Sequence, residues 1–331
     1  MQKRINWKKG MRLTDEVLSA SDRCTDEAIG KALLLAAAGR FGLLTSLRPF
    51  HLSLSIIKGF VDIEALSCLA ITRSGQIIDV EFDTKLTNIF ETRVQIPAQI
   101  EDKELFITVS KLDHEWTEGS EGYKIPTLQF GLIGSKTAVP DNAMPIGRII
   151  NEDGWREDNV NFVPPCLFLS SHSKYEDLYA QFIGMLRSID EKTRTQAGGG
   201  AKKAISIYWP VVRQVLIAVN TEHDELTPVR LLSYIQQVIS AFAMGCEMDD
   251  ALTLEDSETF INFSRVPYNY KNAYLRIKQG LGMCYAINEK IERFSLLEVK
   301  VPPKPEPPRP EPPKPEPPKP EPHKAWGGRS I

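Results

Sequence analysis

The residues of this chain that have the right types for chemistry do not fall into a working pattern. Gly131-Leu-Ile-Gly-Ser-Lys-Thr137 ends like a phosphate loop. The GxxxxGK[ST] spacing is not met, however, and Ser135 separates the glycine from the lysine, so the backbone cradle for a phosphate is missing. A turn between strands explains it better. Asp113-His-Glu115 sets a histidine between two carboxylates, yet residue 118 is Glu where HExxH needs a second His. A hydrolase built on Asp113–Glu115 is the enzymatic rival, against a plain strand-end or loop cluster. Gly119-Ser-Glu-Gly122 is not GxSxG and lies in a polar stretch. Gly198-Gly-Gly-Ala-Lys-Lys203 has backbone amides for an anion, but a flexible helix connection accounts for it. The five histidines are scattered singly, and no Cys/His spacing fits zinc. The sequence therefore predicts no catalytic residue, no metal and no cofactor.

Bulk properties narrow the classes further. The 331 residues are enough for two domains, and 42% apolar with 25% charged residues is ordinary for a soluble globular protein. A formal charge of −3 argues against nucleic acid or an anionic membrane as the main partner. Cys24, Cys68, Cys166, Cys246 and Cys284 are odd in number and form no CxxC, as expected of reduced, mostly buried thiols in a cytosolic protein. The start is basic like a signal peptide, but Leu13 to Glu27 is polar where an apolar stretch would have to follow. The longest apolar run, Ala32 to Ala38, is far short of the roughly 18 residues a spanning helix needs. The expectation is a cytoplasmic chain with no direct membrane insertion.

The elements that must do the positioning fall into zones. A helix is expected from about Asp22 to Ala38. From about Arg40 to Leu169 the chain reads as β: Phe60-Val-Asp-Ile, Cys68-Leu-Ala-Ile, Leu105 to Leu112 and Leu128 to Leu132 are short apolar or β-branched runs. Arg73-Ser-Gly-Gln76 is a turn signal between two of them. Short strands at near-regular spacing, with no amphipathic helices between them, indicate an antiparallel sandwich or barrel.

From about Lys174 to Glu298 the period becomes helical. Tyr175, Leu178, Phe182, Leu186 and Ile189 share one face. A second helix is placed to begin near Pro210, since proline suits a first turn. Leu231, Ile235, Val238, Phe242 and Cys246 stripe a third. In the fourth, Tyr270, Tyr274, Ile277, Leu281, Cys284, Asn288 and Ile291 alternate steps of four and three, a heptad seam with a polar Asn288 at a core position. A plain four-helix bundle satisfies this pattern. So does a bundle that also self-associates, because one bundle need not cover all of these faces.

The last zone, Pro302 to Pro322, repeats Lys-Pro-Glu-Pro-Pro with Arg309 in place of one lysine, and the chain ends His-Lys-Ala-Trp-Gly-Gly-Arg-Ser-Ile. Such a composition cannot bury a core; it is expected to be disordered and to favour polyproline II. The fold class predicted is thus multidomain β + α. An N-terminal β-sandwich covers residues 1–172, a helical bundle 173–300, and a Pro-rich tail with a short tip 301–331.

Several motifs in order resemble the TssK family of type VI secretion baseplate adaptors. Ile5-Asn-Trp-Lys-Lys-Gly-Met-Arg-Leu13 is similar to the family's opening, and Asp22-Arg23 to the Asp-Arg that follows it. Met144-Pro-Ile-Gly-Arg-Ile and then Asn161-Phe-Val-Pro-Pro-Cys-Leu-Phe-Leu169 resemble the end of the family's β domain. Tyr208 to Leu216 is similar to its second stalk helix, and Val266-Pro-Tyr-Asn-Tyr270 to the turn before the next long helix. Two departures stand out. Thr14-Asp-Glu-Val-Leu18 replaces a Pro-x-His-Phe-Gln-like segment, and the proline repeat stands where the family carries a globular head.

The resemblance implies a homotrimer with a β-sandwich shoulder like that of phage receptor-binding proteins and a helical neck. It implies a shoulder that binds the TssF–TssG wedge, and contact with the cytoplasmic face of the membrane complex, here through the tail. A phage-derived tail or receptor-binding protein of another contractile injection machine is the structural rival. Proline-lysine-glutamate repeats also occur in envelope-spanning energy transducers, but no spanning helix is in sight. The wedge contact is assigned to Trp7, Met11 and Leu13, apolar side chains in a basic segment, which otherwise serve as a staple on the shoulder. Trimer and neck packing is assigned to Leu178, Phe182, Ile189, Tyr274, Ile277, Leu281, Asn288 and Ile291. The tail's contact is assigned to Trp326, Arg329 and the terminal Ile331.

Overall fold

A computed structural model describes residues 8–296, apart from 10, 45–47, 85–91, 99–100, 119–123, 197–202 and 248–253. The chain opens with helix α1 (Asp15–Ala36). The Thr14 hydroxyl accepts from the Val17 amide, and Asp15 and Glu16 sit in the first turn, where the helix dipole favours acids. The start lies seven residues ahead of the expected Asp22, because Thr14-Asp-Glu is itself a start signal that apolar periodicity does not reveal. Ala38 and Gly39 take left-handed φ values of 51° and 74° and turn the chain into the sheets.

Among the described residues nine strands follow: β1 (Gly42–Leu43), β2 (His51–Ile57), β3 (Phe60–Ile71), β4 (Ile77–Asp83), β5 (Arg93–Gln95), β6 (Glu104–Glu118), β7 (Lys124–Gly134), β8 (Ala143–Asn151) and β9 (Trp155–Glu157). They form two antiparallel sheets. In the first, β3 is central, with β1 and β2 along one side and β4 and β5 along the other. The second runs β7-β6-β8-β9. The two runs read separately at Phe60 and Cys68 are one long strand, β3, in which buried and half-buried residues alternate. The sheets pack face to face, with the rings of Phe82 on β4 and Phe130 on β7 6.0 Å apart. Strand β8 departs from alternation: its first seven residues are all buried, as a strand covered on both faces requires.

The helical part comprises α2 (Ser173–Gln196), α3 (Lys203–Thr221), α4 (Pro228–Glu247), α5 (Leu254–Arg265) and α6 (Ala273–Leu296). Helix α4 is the hub, with Leu231, Ile235, Val238, Ile239, Phe242 and Cys246 buried and α3, α5 and α6 packed around it. Two expectations are corrected. Helix α3 starts at Lys203, so Pro210 is internal. Tyr208, 1% exposed, and Trp209, whose Nε1 donates to Asp190 at 2.7 Å, anchor the turn ahead of it and override the cost of the missing amide. Helix α5 makes the bundle five helices where four were expected. One apolar cluster runs without interruption from Leu43 in the sandwich to Ile291 in the bundle.

Candidate docking surfaces and the joint between them

The N-terminal arm and α1 form the least covered surface described. Met11 and Leu13 are 38% and 65% exposed, while Lys8, Lys9 and Arg12 around them are basic. Trp7 lies outside the described residues. Helix α1 buries only Gly30, and leaves Leu18, Ile29 and Leu35 exposed. It is held at its C-terminal half. A Cβ on Gly30 would stand 1.9 Å from the Gly75 carbonyl oxygen, so only glycine permits this approach. Leu33 and Leu34 pack on Ala37, Ile71 and Leu167, and Lys111 on β6 reaches Asp26 at 3.3 Å.

The neck residues pack within the bundle of the single chain, as the plain-bundle reading expects. Leu178, Phe182 and Ile189 of α2, and Ile277, Leu281 and Ile291 of α6, are all buried inside the single chain, where α2 packs on α6. No apolar stripe among them is left over for a partner. Tyr270 precedes α6. Asn288 is not in the buried face: it is half-buried and accepts from Lys192 Nζ at 3.1 Å, while Ile287 takes the core position. Tyr274 is half-buried as well, with its ring 5.7 Å from that of Tyr175. Among the described residues, the exposed large apolar side chains of the helical part are Ile217, Val229, Met244 and Tyr285. Trp326, Arg329 and Ile331, with the whole tail, lie outside the described residues.

Between sandwich and bundle lies a joint that the sequence reading did not mark as a site. Its first half is the segment Asn161–Leu169. Arg148 on β8 pairs with Asp158, each 6% exposed, and Asp158 also accepts from the Asn161 amide at 3.2 Å. Leu43 N donates to Pro165 O at 2.7 Å, Leu167 N to Leu43 O at 3.0 Å, and Leu169 N to Leu226 O at 2.9 Å. The segment is thus stitched to the first sheet at one end and to the bundle at the other. Gly42, at φ 139°, allows this, since a Cβ there would meet the Pro165 carbonyl at 2.5 Å.

The second half is the loop Val266–Asn272. Arg73, in the β3–β4 turn, places its guanidinium 4.6 Å from the ring centre of Phe41 and 4.7 Å from that of Tyr270. Lys271 Nζ donates to the carbonyls of Ser135 and Thr137 at 2.7 and 2.6 Å, above the Phe106 ring. Partial burial, and then Arg73 nearby, pull the Lys271 pKa below its ordinary value. Both halves of the joint coincide with motifs that carried the family resemblance. The Gly131–Thr137 motif is here the end of β7 and its turn, which supplies carbonyls to Lys271. The side chains of Asp113, His114 and Glu115 lie outside the described residues, as do residues 119–123 and 197–202.

The whole is a β-sandwich continuous with a helical bundle, joined by a buried Pro-Pro segment and a clamped loop. Its similarity is to TssK. A crystal structure of TssK superimposes with a TM-score of 0.56 at 13% identity, covering 87% of this chain and 69% of that one. A chain of the type VI secretion TssK–TssF–TssG baseplate subcomplex, seen by cryo-electron microscopy, gives a TM-score of 0.52 at 11% identity, over 87% of this chain and 99% of that one. TssK from EAEC in complex with a nanobody gives 0.51 at 12% identity, over 81% and 67%. No protein-family model and no curated protein matches the sequence. The likeness is one of fold, a mixed β + α fold of the TssK type.

Proposed function

We propose that this chain is a structural, non-enzymatic adaptor of the type VI secretion baseplate. The observation that carries the reading is the extent of the fold likeness. It runs over 87% of the chain, through sandwich, joint and bundle, and the structures it matches are baseplate proteins. In this reading the chain works as a homotrimer, with a boundary near residue 172 between shoulder and neck. The trimer contact draws on exposed side chains such as Ile217, Met244 and Tyr285, because the stripes of α2 and α6 are used internally. The arm with Trp7, Met11 and Leu13, backed by α1, is the contact for a TssF–TssG wedge. Exposed apolar side chains on a lightly held element make effective anchors.

The tail is the link to the cytoplasmic face of the membrane complex. Pro302 to Pro322 in polyproline II reaches on the order of 65 Å. Trp326, Arg329 and Ile331 are the residues of the tail assigned to that contact. Among the described residues no helix is long and apolar enough to cross a membrane, which suits attachment through partners. Affinity purification of the full chain from its own cell, followed by mass spectrometry, tests the reading. Wedge and sheath proteins of a secretion baseplate are expected in the eluate. Recovery of phage tail proteins instead would transfer the chain to another contractile machine. Deleting residues 301–331 should spare wedge assembly and uncouple secretion; secretion at the undeleted level would remove the tail from the reading.

A further inference from the structure

The outer face of the bundle carries an open groove of about 590 Å³ between α5 and α6. Its walls include Phe260, Phe263, Gly282 and Met283, with Arg276 at one end and Lys290 at the other. Helix α6 carries two glycines beside it. Of its two glycines, Gly280 is explained by packing: a Cβ there would stand 2.6 Å from Ile235 and 2.8 Å from Phe263. Gly282 has no such reason, since a Cβ there would meet nothing within 4 Å. A glycine in mid-helix weakens the helix, and within this chain nothing is gained in return. What Gly282 keeps open is the groove.

The geometry points to the chain's own proline repeat as the occupant. Helix α6 ends at Leu296, six residues past Lys290, and the sequence continues for 35 residues to Ile331. From Arg276 to Lys290 the helix spans about 21 Å, the length of about seven residues of polyproline II. Polyproline segments settle into apolar grooves with aromatic walls, and they enter such grooves with little entropy left to lose. The charges match. Glu306 and Glu311 stand about 16 Å apart in that conformation, within side-chain reach of Lys290 and Arg276 when the repeat runs back antiparallel to α6. The five residues 297–301, ahead of the repeat, would make the reversal. Glu258, exposed on α5 beside Thr259, offers a partner to the repeat's cations. The tail therefore has a parked position on its own helical bundle. This inference concerns the chain alone and stands whether or not the adaptor reading holds.

Photo-crosslinking in the full chain tests it. With benzoylphenylalanine in place of Met283, irradiation should give an adduct at single-chain mass that maps within residues 302–322. Gly282→Leu should lower the yield at least tenfold with an unchanged circular dichroism spectrum. The pair Glu306→Lys and Glu311→Lys, made in the tail where the fold is untouched, should also lower it at least threefold. An adduct to residues 8–296 of a second copy, an adduct at double mass, or no tail adduct at all would overturn the proposal. So would yields indifferent to both the groove and the tail substitutions.

Discussion

His172, the last residue before α2, makes the joint sensitive to acid. Its Nδ1 accepts the Lys174 amide at 3.2 Å, so the imidazole caps the helix as an Asn or Asp would. Its ring lies 5.8 Å from that of Phe50. Burial, and then the neighbouring Lys174 ammonium, pull its pKa from 6.5 down to about 4. Protonation would also turn the accepting nitrogen into a donor and set a cation at a helix N-terminus. The sign follows by linkage. The unfolded chain takes up the proton near 6.5 and the folded chain only near 4, so stability is full above that window and is lost as pH falls through it. The whole gap is worth about 3 kcal/mol, of which about 2.5 kcal/mol is spent by pH 4.5. Carboxylates also titrate in this range, so the measurement is a difference. Urea unfolding of the parent and of His172→Asn, which keeps the cap without the titration, is compared at pH 7.5 and pH 4.5. The parent should lose about 2.5 kcal/mol more than the variant. Equal losses would refute the assignment of this acid sensitivity to His172.

Other outcomes follow from the same structure. Lys271→Met removes both donors from the Ser135 and Thr137 carbonyls and should cost about 1–3 kcal/mol in thermal or urea unfolding. Hydrogen exchange should then rise in residues 134–137. Gly30→Ala forces α1 away from the Gly75 carbonyl, and exchange throughout α1 should rise at least tenfold while the sandwich strands stay protected. Deleting residues 1–13 should abolish wedge co-purification; retained wedge would move the contact elsewhere. Light scattering on the full chain should give three times the monomer mass. A monomer at micromolar concentration would remove the trimer from the proposed function.

Strand β3 was legible because it alternates, with one face on the opposite sheet, and α2 because its stripe is regular. On α6, which packs on α2 and α4, the choice of stripe misled. A heptad seam is narrow, and choosing strict steps of four and three from Tyr274 selected Asn288. A helix wedged between two partners needs a face well over 100° wide. That face takes in Gly280 and Ile287, while Asn288 is half-buried beside Lys192. Helix α5 escaped notice for the opposite reason. Phe260 and Phe263 are its described buried apolar residues, too few to establish a period. Helix α1 buries just one residue, and that one is a glycine, so its later part was legible but its start is marked only by the Thr14 cap.

The joint was illegible for a deeper reason, and this bears on how such a chain diverges. Arg73, Phe41 and Tyr270 meet in space from positions nearly two hundred residues apart, and Lys271 reaches two backbone carbonyls that any residue types would supply. Nothing in a periodicity search can bring these together. Yet the segments that carry the joint, Asn161–Leu169 and Val266–Tyr270, are among those that carried the family resemblance in the sequence. Core positions tolerate exchange among apolar residues of similar volume, so they lose their sequence signature first. A Pro-Pro segment hydrogen-bonded at both ends and a clamped loop tolerate little, because each side chain or bend there meets a specific partner. If sandwich and bundle must keep a fixed angle to pass a load between two assemblies, the joint is where substitution is constrained most. Arg73→Ala should then leave the fold intact while loosening that angle. Small-angle scattering should register this as a broader distribution of maximum dimension, and an unchanged profile would place the rigidity in the Pro-Pro segment alone.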